Sequence, residues 1–355
     1  MRILHVITSL RTGGAEKLII DLIPKLCLLG QEVDLLVFDY TPTPLMQKAK
    51  EKGIKIIGLS KDRSVYSLKN FFKLRPYLSK YDIIHTHNYA PQLFVAMLAP
   101  HKSVLITTEH GGSNRRRNIK WFKPIDKWMY RRYNKIICIA DQTKTSLISY
   151  LKGNWPQITT INNGIDLPNF LNAGESSLFN DIPDDIVKVV MVAGFRWEKD
   201  QPTLIKAFNY LPENFHLFLI GDGVRKNEYL EIISQNKLTE RVHLEGIRMD
   251  IAEILHSSDF VVMSSHFEGL SLSSIEGMAS GRPFLASDVD GLREVVSNAG
   301  VLFEHENPKA LAEEILKLYK DKQLYKKIAE NCVERARLFD LTKTIEEYNN
   351  IYNSI

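Results

Sequence analysis

Short runs of β-branched and apolar residues alternate with segments of helical spacing along almost the whole chain. In residues 15–29, for example, Leu18, Leu22 and Leu26 recur every four residues, as on one face of a helix. Strands that alternate with helices predict βαβ units, and therefore parallel sheets with helices on both faces. The predicted strands form two successive series, 3–8, 33–38, 54–59, 83–86, 104–108, 135–139 and 158–161, then 187–193, 215–220, 242–244, 260–264, 283–286 and 300–303.

The 355 residues provide enough chain for two domains. We predict an N-terminal doubly wound domain over residues 1–165 and a C-terminal one over 187–338. Residues 166–186, rich in Pro, Asn, Gly, Ser and Asp, are the predicted linker. The tail, residues 339–355, has helical spacing and is expected to dock back on the N-terminal domain. Ligands of doubly wound folds bind beyond the carboxyl ends of the strands, so functional residues are expected there.

Charge is divided unevenly along the chain. Residues 1–165 contain 26 Lys and Arg against 11 Asp and Glu, a net charge of +15. Residues 166–355 contain 20 against 31, a net charge of −11. This division predicts that the first domain meets an anionic partner.

Composition excludes several classes of protein. With 44% hydrophobic and 25% charged residues, the chain is neither disordered nor collagen-like. Cys27, Cys138 and Cys332 are scattered and form no CxxC pair, which predicts reduced thiols in a cytosolic protein. The sequence contains no run of about 18 apolar residues, so no membrane span is predicted. The N-terminus lacks the features of a secretory signal.

The segment from His266 to Pro283 contains the most specific pattern. A predicted strand ends, a glycine turn follows, and a helix is expected to open near Ser271. The free amides of the first helical turn would then form a site for a diphosphate. Glu268 and Glu276 flank this turn, and their carboxylates could accept hydrogen bonds from sugar hydroxyls. The alternative is a capped surface helix with two solvated glutamates.

The first domain offers a glycine turn and several histidines. Gly13 and Gly14 follow the first strand and could let the backbone approach a phosphate, although an ordinary βα turn has the same residues. No third glycine completes a dinucleotide fingerprint, so NAD binding is disfavoured. His110 lies at a strand end. We expect His85 and His87 to point to opposite faces of their strand and to hold no metal, with His87 either lining the site or packed in the core.

Residues 115–135 combine basic and aromatic side chains, with Asp126 as their single acidic residue. One interpretation is a solvated amphipathic helix whose aromatic residues enter the core. The other is an anionic membrane surface or a lipid-phosphate acceptor site, which the positive charge of the domain favours. Nucleic-acid binding is not predicted, because no nucleic-acid motif accompanies the patch. The basic residues of the patch are Arg115, Arg116, Arg117, Lys120, Lys123, Lys127, Arg131 and Arg132.

The spacing of Glu268 and Glu276 resembles the E-x7-E signature of the retaining glycosyltransferases of family 4. Further similarities follow in the order of that family: a Gly-Gly loop at 12–16, an interdomain motif at 163–166, a phosphate-binding strand and helix at 191–208, and stretches at 221–223, 242–250 and 288–296. Asp288 and Asp290 formally give a DxD sequence, which we interpret as a turn and helix cap and not as a metal site.

The resemblance implies a GT-B fold, in which two Rossmann-like domains bind acceptor and nucleotide-sugar. It implies that Glu268, His110 and Lys199 are catalytic, with Lys199 neutralising the leaving diphosphate. Gly13, Gly14 and His87 would lie near the phosphate or the acceptor. Many members have an arginine at the position of Gly194, and Arg196 is its candidate replacement here. The donor-binding residues implied are Gly14, Arg196, Lys199, Ile247, Gly269, Leu270, Ser271, Leu272, Ser273 and Glu276.

We therefore expect a retaining glycosyltransferase that moves a hexose-type sugar, UDP-linked, to a hydroxyl of a lipid-linked or polysaccharide acceptor in cell-envelope synthesis. The expected partners are the nucleotide-sugar, that acceptor and an anionic membrane surface, with no cofactor and no metal. The expected location is the cytoplasm, on the inner face of the cytoplasmic membrane. The alternatives are a nucleotide-sugar 2-epimerase of GT-B fold and a non-catalytic protein that binds nucleotides or anionic lipids.

Overall fold

A computed structural model describes residues 1–11, 13–61, 64–111, 117, 119 and 121–355 of the chain. It divides into two units, each with its own core. The first unit comprises residues 1–164 and 341–355, and the second comprises residues 165–340.

The first unit is built on a seven-stranded parallel sheet of order β3-β2-β1-β4-β5-β6-β7. Every strand pair in it is parallel, so each connection crosses over through a helix or loop. The strands are β1 (Arg2–Ser9), β2 (Glu32–Asp39), β3 (Ile56–Ser60), β4 (Ile83–His87), β5 (Val104–Glu109), β6 (Lys135–Cys138) and β7 (Ile158–Thr160). The helices are α1 (Gly14–Leu28), α2 (Pro44–Glu51), α3 (Leu68–Leu78), α4 (Tyr89–Leu98), α5 (Phe122–Arg131) and α6 (Asp141–Leu151).

The second unit has a six-stranded parallel sheet of order β10-β9-β8-β11-β12-β13. Its strands are β8 (Val187–Val192), β9 (Phe215–Ile220), β10 (Val242–Gly246), β11 (Phe260–Met263), β12 (Phe284–Ser287) and β13 (Val301–Phe303). Its helices are α7 (Leu167–Leu171), α8 (Gln201–Ala207), α9 (Lys226–Gln235), α10 (Ile251–His256), α11 (Leu272–Ala279), α12 (Leu292–Val296), α13 (Pro308–Lys320) and α14 (Lys322–Ala336). Short 3-10 turns complete the unit.

The C-terminal helix α15 (Leu341–Asn353) belongs to the first unit. Its Tyr348 and Tyr352 are completely buried there. At its end, the side-chain amide of Gln31 donates to the side-chain oxygens of Asn349 and Asn353, at 2.9 and 3.0 Å. The buried tyrosines and the amide contacts fix this helix against the first sheet.

All thirteen predicted strands are present, and the prediction of two doubly wound parallel sheets is confirmed. Residues 166–186, the predicted linker, lie within the second unit. They contain helix α7 and bury Leu167, Phe170 and Phe179, whose apolar side chains are spaced too irregularly to predict an element. Among the described residues, no helix combines the length and hydropathy needed to cross a membrane.

Candidate active site

The order of the second sheet reverses direction between β8 and β11, which pair with each other. Ligands of open α/β sheets bind at such a switch point, outside the carboxyl ends of the strands. The loop after β8 carries Arg196 and Lys199, and the loop after β11 carries Glu268. Two predicted site residues that lie 69 positions apart in sequence therefore meet at one edge of the sheet.

Lys199 and Glu268 form an ion pair. Lys199 Nζ donates to Glu268 Oε1 at 2.5 Å, and the Ser265 hydroxyl donates to the same oxygen at 2.7 Å. The side chains of Lys199 and Glu268 are only 15% and 10% exposed. A buried charge of either sign is stable only with such a partner, so the pair fixes both side chains in place.

The backbone around this pair is closely packed. Gly291 has φ +83°, and a Cβ there would lie 2.1 Å from the carbonyl oxygen of Glu268. The Ser264 hydroxyl donates to the carbonyl oxygen of Asp200 at 2.8 Å, which joins the loop after β11 to the loop after β8. Gly291 and the two serines were not predicted as site residues. Their role follows from tertiary contacts, which leave no local pattern in the sequence.

Helix α11 begins one residue after the predicted position, with Ser271 as its N-cap residue. The amides of Leu272 and Ser273 lie in its first turn, where no carbonyl of the same helix can accept from them. Gly269 and Leu270 form the turn that leads into the helix and are half-buried. These residues surround the helix N-terminus, where the partial positive charge of the first turn lies and where the diphosphate cradle is predicted. Glu276, 3% exposed, lies one turn further along the helix.

Arg196 stands close to the position where the family resemblance expects an arginine. Its Nε lies 3.3 Å from the point that a Cβ on Gly194 would occupy, so its guanidinium occupies that side-chain space. The Arg196 side chain is 58% exposed, and its guanidinium lies 3.7 Å from Glu198. Ile247, predicted beside the base, follows β10 directly and is 46% exposed.

At the switch point of the first unit, β1 pairs with β4. Gly13 is the N-cap residue of α1 and Gly14 its first residue, so both lie at the carboxyl end of β1 as predicted. Gly13 has an extended backbone, φ −171°, which any residue can adopt. Thr12, in the same loop, lies outside the described residues.

His110 begins a chain of hydrogen-bonded side chains in the first unit. Its Nε2 lies 2.9 Å from His87 Nδ1, and His87 Nε2 lies 3.0 Å from His5 Nδ1. The Tyr352 hydroxyl lies 3.2 Å from His5 Nε2 and 2.7 Å from His85 Nδ1. His110 Nδ1 is buried and has no hydrogen-bond partner among the described residues. It is the free end of the chain.

Burial keeps these imidazoles neutral. It lowers the pKa of His110 to about 4 and of His5 to about 3, and it lowers the pKa of His85 and His87 as well. A neutral imidazole has one N–H and one acceptor nitrogen. Along the chain of His5, His87 and His110, the N–H of one ring must therefore face the acceptor nitrogen of the next. The tautomer of one ring then fixes the tautomers of the others, and with them whether His110 Nδ1 donates or accepts.

One expectation about the histidines is wrong, and the two alternatives for His87 can be compared with its surroundings. His85 and His87 do not point to opposite faces, because residues two apart in a strand share a face. Their rings stack at a centroid distance of 4.6 Å. His87 is 1% exposed, and both its ring nitrogens are engaged by histidines, which agrees with the alternative that it is packed in the core and supports His110.

The predicted basic patch is only partly a surface. The side chain of Arg117 is 7% exposed and pairs with Glu109 at 2.7 Å, and Arg132 donates to the carbonyl oxygens of Ala96 and Ala99. Arg131 is exposed, and Lys123 and Lys127 are half-buried. Three predicted members, Arg115, Arg116 and Lys120, lie outside the described residues.

The DxD sequence has an electrostatic role within the fold. The guanidinium of Arg293 pairs with Asp288 at 2.7 Å and with Asp290 at 3.2 Å. The predicted helix cap is not formed by either aspartate, because the N-cap residue of α12 is Gly291.

Comparisons with known proteins cover both units of the chain. The profile described as "Glycosyltransferase Family 4" matches residues 12–168, and "Glycosyl transferases group 1" matches residues 175–337. An uncharacterized glycosyltransferase of Methanocaldococcus jannaschii is 28% identical over 308 residues, which cover 84% of this chain and 83% of that protein. The UDP-Gal:alpha-D-GlcNAc-diphosphoundecaprenol alpha-1,3-galactosyltransferase of Escherichia coli is 27% identical over 319 residues, which cover 83% of this chain and 80% of that protein.

The fold also matches solved structures over its whole length. The crystal structure of Anabaena HepE in complex with UDP and glucose has a TM-score of 0.88 and 21% identity, and all of both chains is covered. This similarity identifies the fold as GT-B. Together, the two profiles span the Gly-Gly loop of the first unit and the Lys199–Glu268 site of the second. The chain belongs to the family 4 glycosyltransferases and is a glycosyltransferase enzyme.

Proposed function

We propose that this enzyme transfers a hexose-type sugar from UDP to a hydroxyl of a lipid-linked or polysaccharide acceptor in cell-envelope glycan synthesis, with retention at the anomeric carbon. The observation that carries the proposal is the buried Lys199–Glu268 pair beside the N-terminus of α11. UDP and glucose in the Anabaena structure support the donor class. The diphosphoundecaprenol in the name of the Escherichia coli relative supports a lipid-linked acceptor.

In the proposed reaction, the amides that open α11 hold the diphosphate, and Lys199 and Arg196 neutralise the charge that grows on it as it leaves. The bond from the anomeric carbon to the phosphate oxygen breaks. A bond from the same carbon to the acceptor oxygen forms on the same face, and the acceptor proton passes to the departing phosphate. Glu268 stabilises positive charge on the sugar, Glu276 binds the ribose hydroxyls and His110 contacts the sugar. We assign the transfer step to these groups without a metal.

Product analysis tests the reaction class. Incubation with UDP-hexoses and an undecaprenyl-diphosphate-linked glycan should release UDP only together with a glycosylated lipid, in which the new linkage has the anomeric configuration of the donor. A 2-epimerase would give an epimerised product with no acceptor present. Inversion at the anomeric carbon would contradict the assignment of Glu268, and the absence of any transfer would contradict the acceptor class.

The first unit has a surface suited to the inner face of an anionic membrane. Trp121, Ile125 and Trp128 follow one another at helical spacing on the outer side of α5, with exposed fractions of 87%, 45% and 46%. On α3, Leu68 and Phe72 are 72% and 68% exposed. Exposed tryptophans at this spacing, beside basic side chains, are typical of helices that lie in a membrane interface.

We therefore propose that α3 and α5 place the enzyme on the membrane that holds its acceptor. Flotation with vesicles containing phosphatidylglycerol should recover the wild-type chain, and Trp121→Ser should lower recovery severalfold. Tyr210→Ser, which replaces an exposed aromatic residue of the second unit, is the matched control and should float like the wild type. Equal recovery of all three proteins, or none from the wild type, would contradict this surface.

A further inference from the structure

Three loops of the second unit bring metal-ligating side chains together beside the candidate donor site. Asp200 lies in the loop between β8 and α8, His266 follows β11, and His305 and Glu306 follow β13. One ligand atom each from Asp200, His266 and His305 lies within 4.8 Å of the other two. The sequence pattern did not predict this group, because Asp200, His266 and His305 are separated from one another by 39 residues or more.

The distances around His266 Nδ1 suit one tetrahedral ion. This nitrogen lies 2.9 Å from His305 Nε2, 3.4 Å from Glu306 Oε1 and 3.8 Å from Asp200 Oδ2. In a tetrahedral zinc site with bonds of about 2.0–2.1 Å, ligand atoms lie roughly 3.3–3.4 Å apart. The observed separations fall on both sides of that value, so small rotations of the side chains would bring the ligand atoms of Asp200, His266 and His305 onto one ion.

Asp200 supplies an independent observation. The residue is 5% exposed, and its Oδ2 is buried without a hydrogen-bond partner, while Oδ1 accepts from the amide of Thr203 at 3.4 Å. A cation at the position that Oδ2 faces would satisfy it.

The ligands are also held in position. The amide of His266 donates to the carbonyl oxygen of Glu198 at 2.9 Å, and the His266 ring packs on Trp197 at a centroid distance of 4.6 Å. Such outer contacts orient metal ligands in known sites. The buried trio of His5, His85 and His87 differs, because its ring nitrogens are engaged by one another, by Tyr352 and by neighbouring side chains.

We propose that Asp200, His266 and His305 bind one divalent transition-metal ion, Zn²⁺ by the preference of a mixed imidazole and carboxylate set, with water or the neighbouring Glu306 in the fourth position. Asp200 directly follows Lys199, and His266 lies two residues before Glu268. The ion would join the loops that carry both members of the ion pair and brace the donor site. It takes no part in the transfer step, and the inference does not depend on the proposed function.

Metal content tests the site directly. The full-length chain without an affinity tag is stripped with a chelator, equilibrated with Zn²⁺ and dialysed, and bound zinc is measured by mass spectrometry. We expect one zinc per chain, a zinc-dependent rise in melting temperature, and with Co²⁺ the visible absorption bands of a tetrahedral complex. His305→Asn, at a half-buried loop position, should weaken binding more than about tenfold and abolish the rise.

The matched control is His243→Asn. His243 Nε2 lies 3.1 Å from His216 Nδ1, so this pair resembles His266 and His305, but no carboxylate forms an ion pair with it in the described chain. His243→Asn should retain zinc like the wild type. A wild type without stoichiometric zinc, or equal zinc in His305→Asn, would overturn the proposal. Calorimetry with UDP on the zinc-free protein reports the donor site separately, so that the two proposals can fail independently.

Discussion

Replacing Lys199 with alanine should destabilise the second unit more than replacing both members of its ion pair. Lys199 and Glu268 are 15% and 10% exposed, so the single change leaves a nearly buried carboxylate without its cation. Removing one partner of a buried pair costs about 3–5 kcal/mol. The Ser265 hydroxyl still donates to Glu268, which favours the lower value of about 3 kcal/mol.

The double variant Lys199→Ala, Glu268→Gln has no unpaired charge. Its remaining cost is the lost packing and a neutral hydrogen bond, about 1–2 kcal/mol. The double variant should therefore be more stable than Lys199→Ala alone. Lys199→Arg, which keeps the positive charge, is the control for lost packing.

Urea titration read by hydrogen exchange in peptides from β8 and α11 measures this unit separately from the first. The same proteins should differ in UDP affinity. Loss of a charge-assisted bond to the diphosphate, about 1.5–3 kcal/mol, corresponds to roughly a 10- to 150-fold rise in Kd by calorimetry. A single variant as stable as the double, with unchanged UDP affinity, would refute the ion pair and its assignment to the donor site.

Three further predictions follow from the described contacts. Gly291→Ala should lower the free energy of unfolding in urea by about 1–3 kcal/mol more than Gly281→Ala does. Both glycines have positive φ, but only at Gly291 would a Cβ meet the Glu268 carbonyl, so equal losses would contradict the close packing. Tyr352→Phe should change the ¹⁵N chemical shifts of the His110 ring, and unchanged shifts would show that the histidine chain does not set its tautomer. Burial lowers the pKa of His110 from 6.5 to about 4, so as the pH falls His110 takes up a proton in the unfolded chain before it does so in the folded one. The free energy of unfolding of the first unit should therefore have its full value above pH 6.5 and decrease towards pH 4. A profile that does not change with pH would contradict burial of the neutral imidazole.

The elements of this fold could be predicted because their signals are local. Hydrophobic period and flanking glycines located every strand, and Ser271 marked the start of α11 within one residue. The segment 166–186 was misjudged as a linker, since Leu167, Phe170 and Phe179 are buried by contacts that follow no helical or strand period.

The contacts of the site could not be predicted in the same way. The sequence motifs selected Lys199 and Glu268, but their pairing depends on how β8 and β11 are ordered in the sheet. Tyr352 joins the histidine chain from the last helix, 347 residues from His5. Arg117 was assigned to a surface by its neighbours in sequence, whereas Glu109 holds it inside.

Single-turnover kinetics of Glu268→Gln tests whether Glu268 acts at the reacting carbon. At saturating donor, we predict a fall of about 10²–10³-fold in the rate of sugar transfer, the range for removing one electrostatic stabiliser of a transition state. The Kd for UDP should change less than about threefold, because Glu268 contacts the sugar in this account and not the diphosphate. Transfer at the wild-type rate by this variant would contradict the assignment of Glu268 to the reacting carbon.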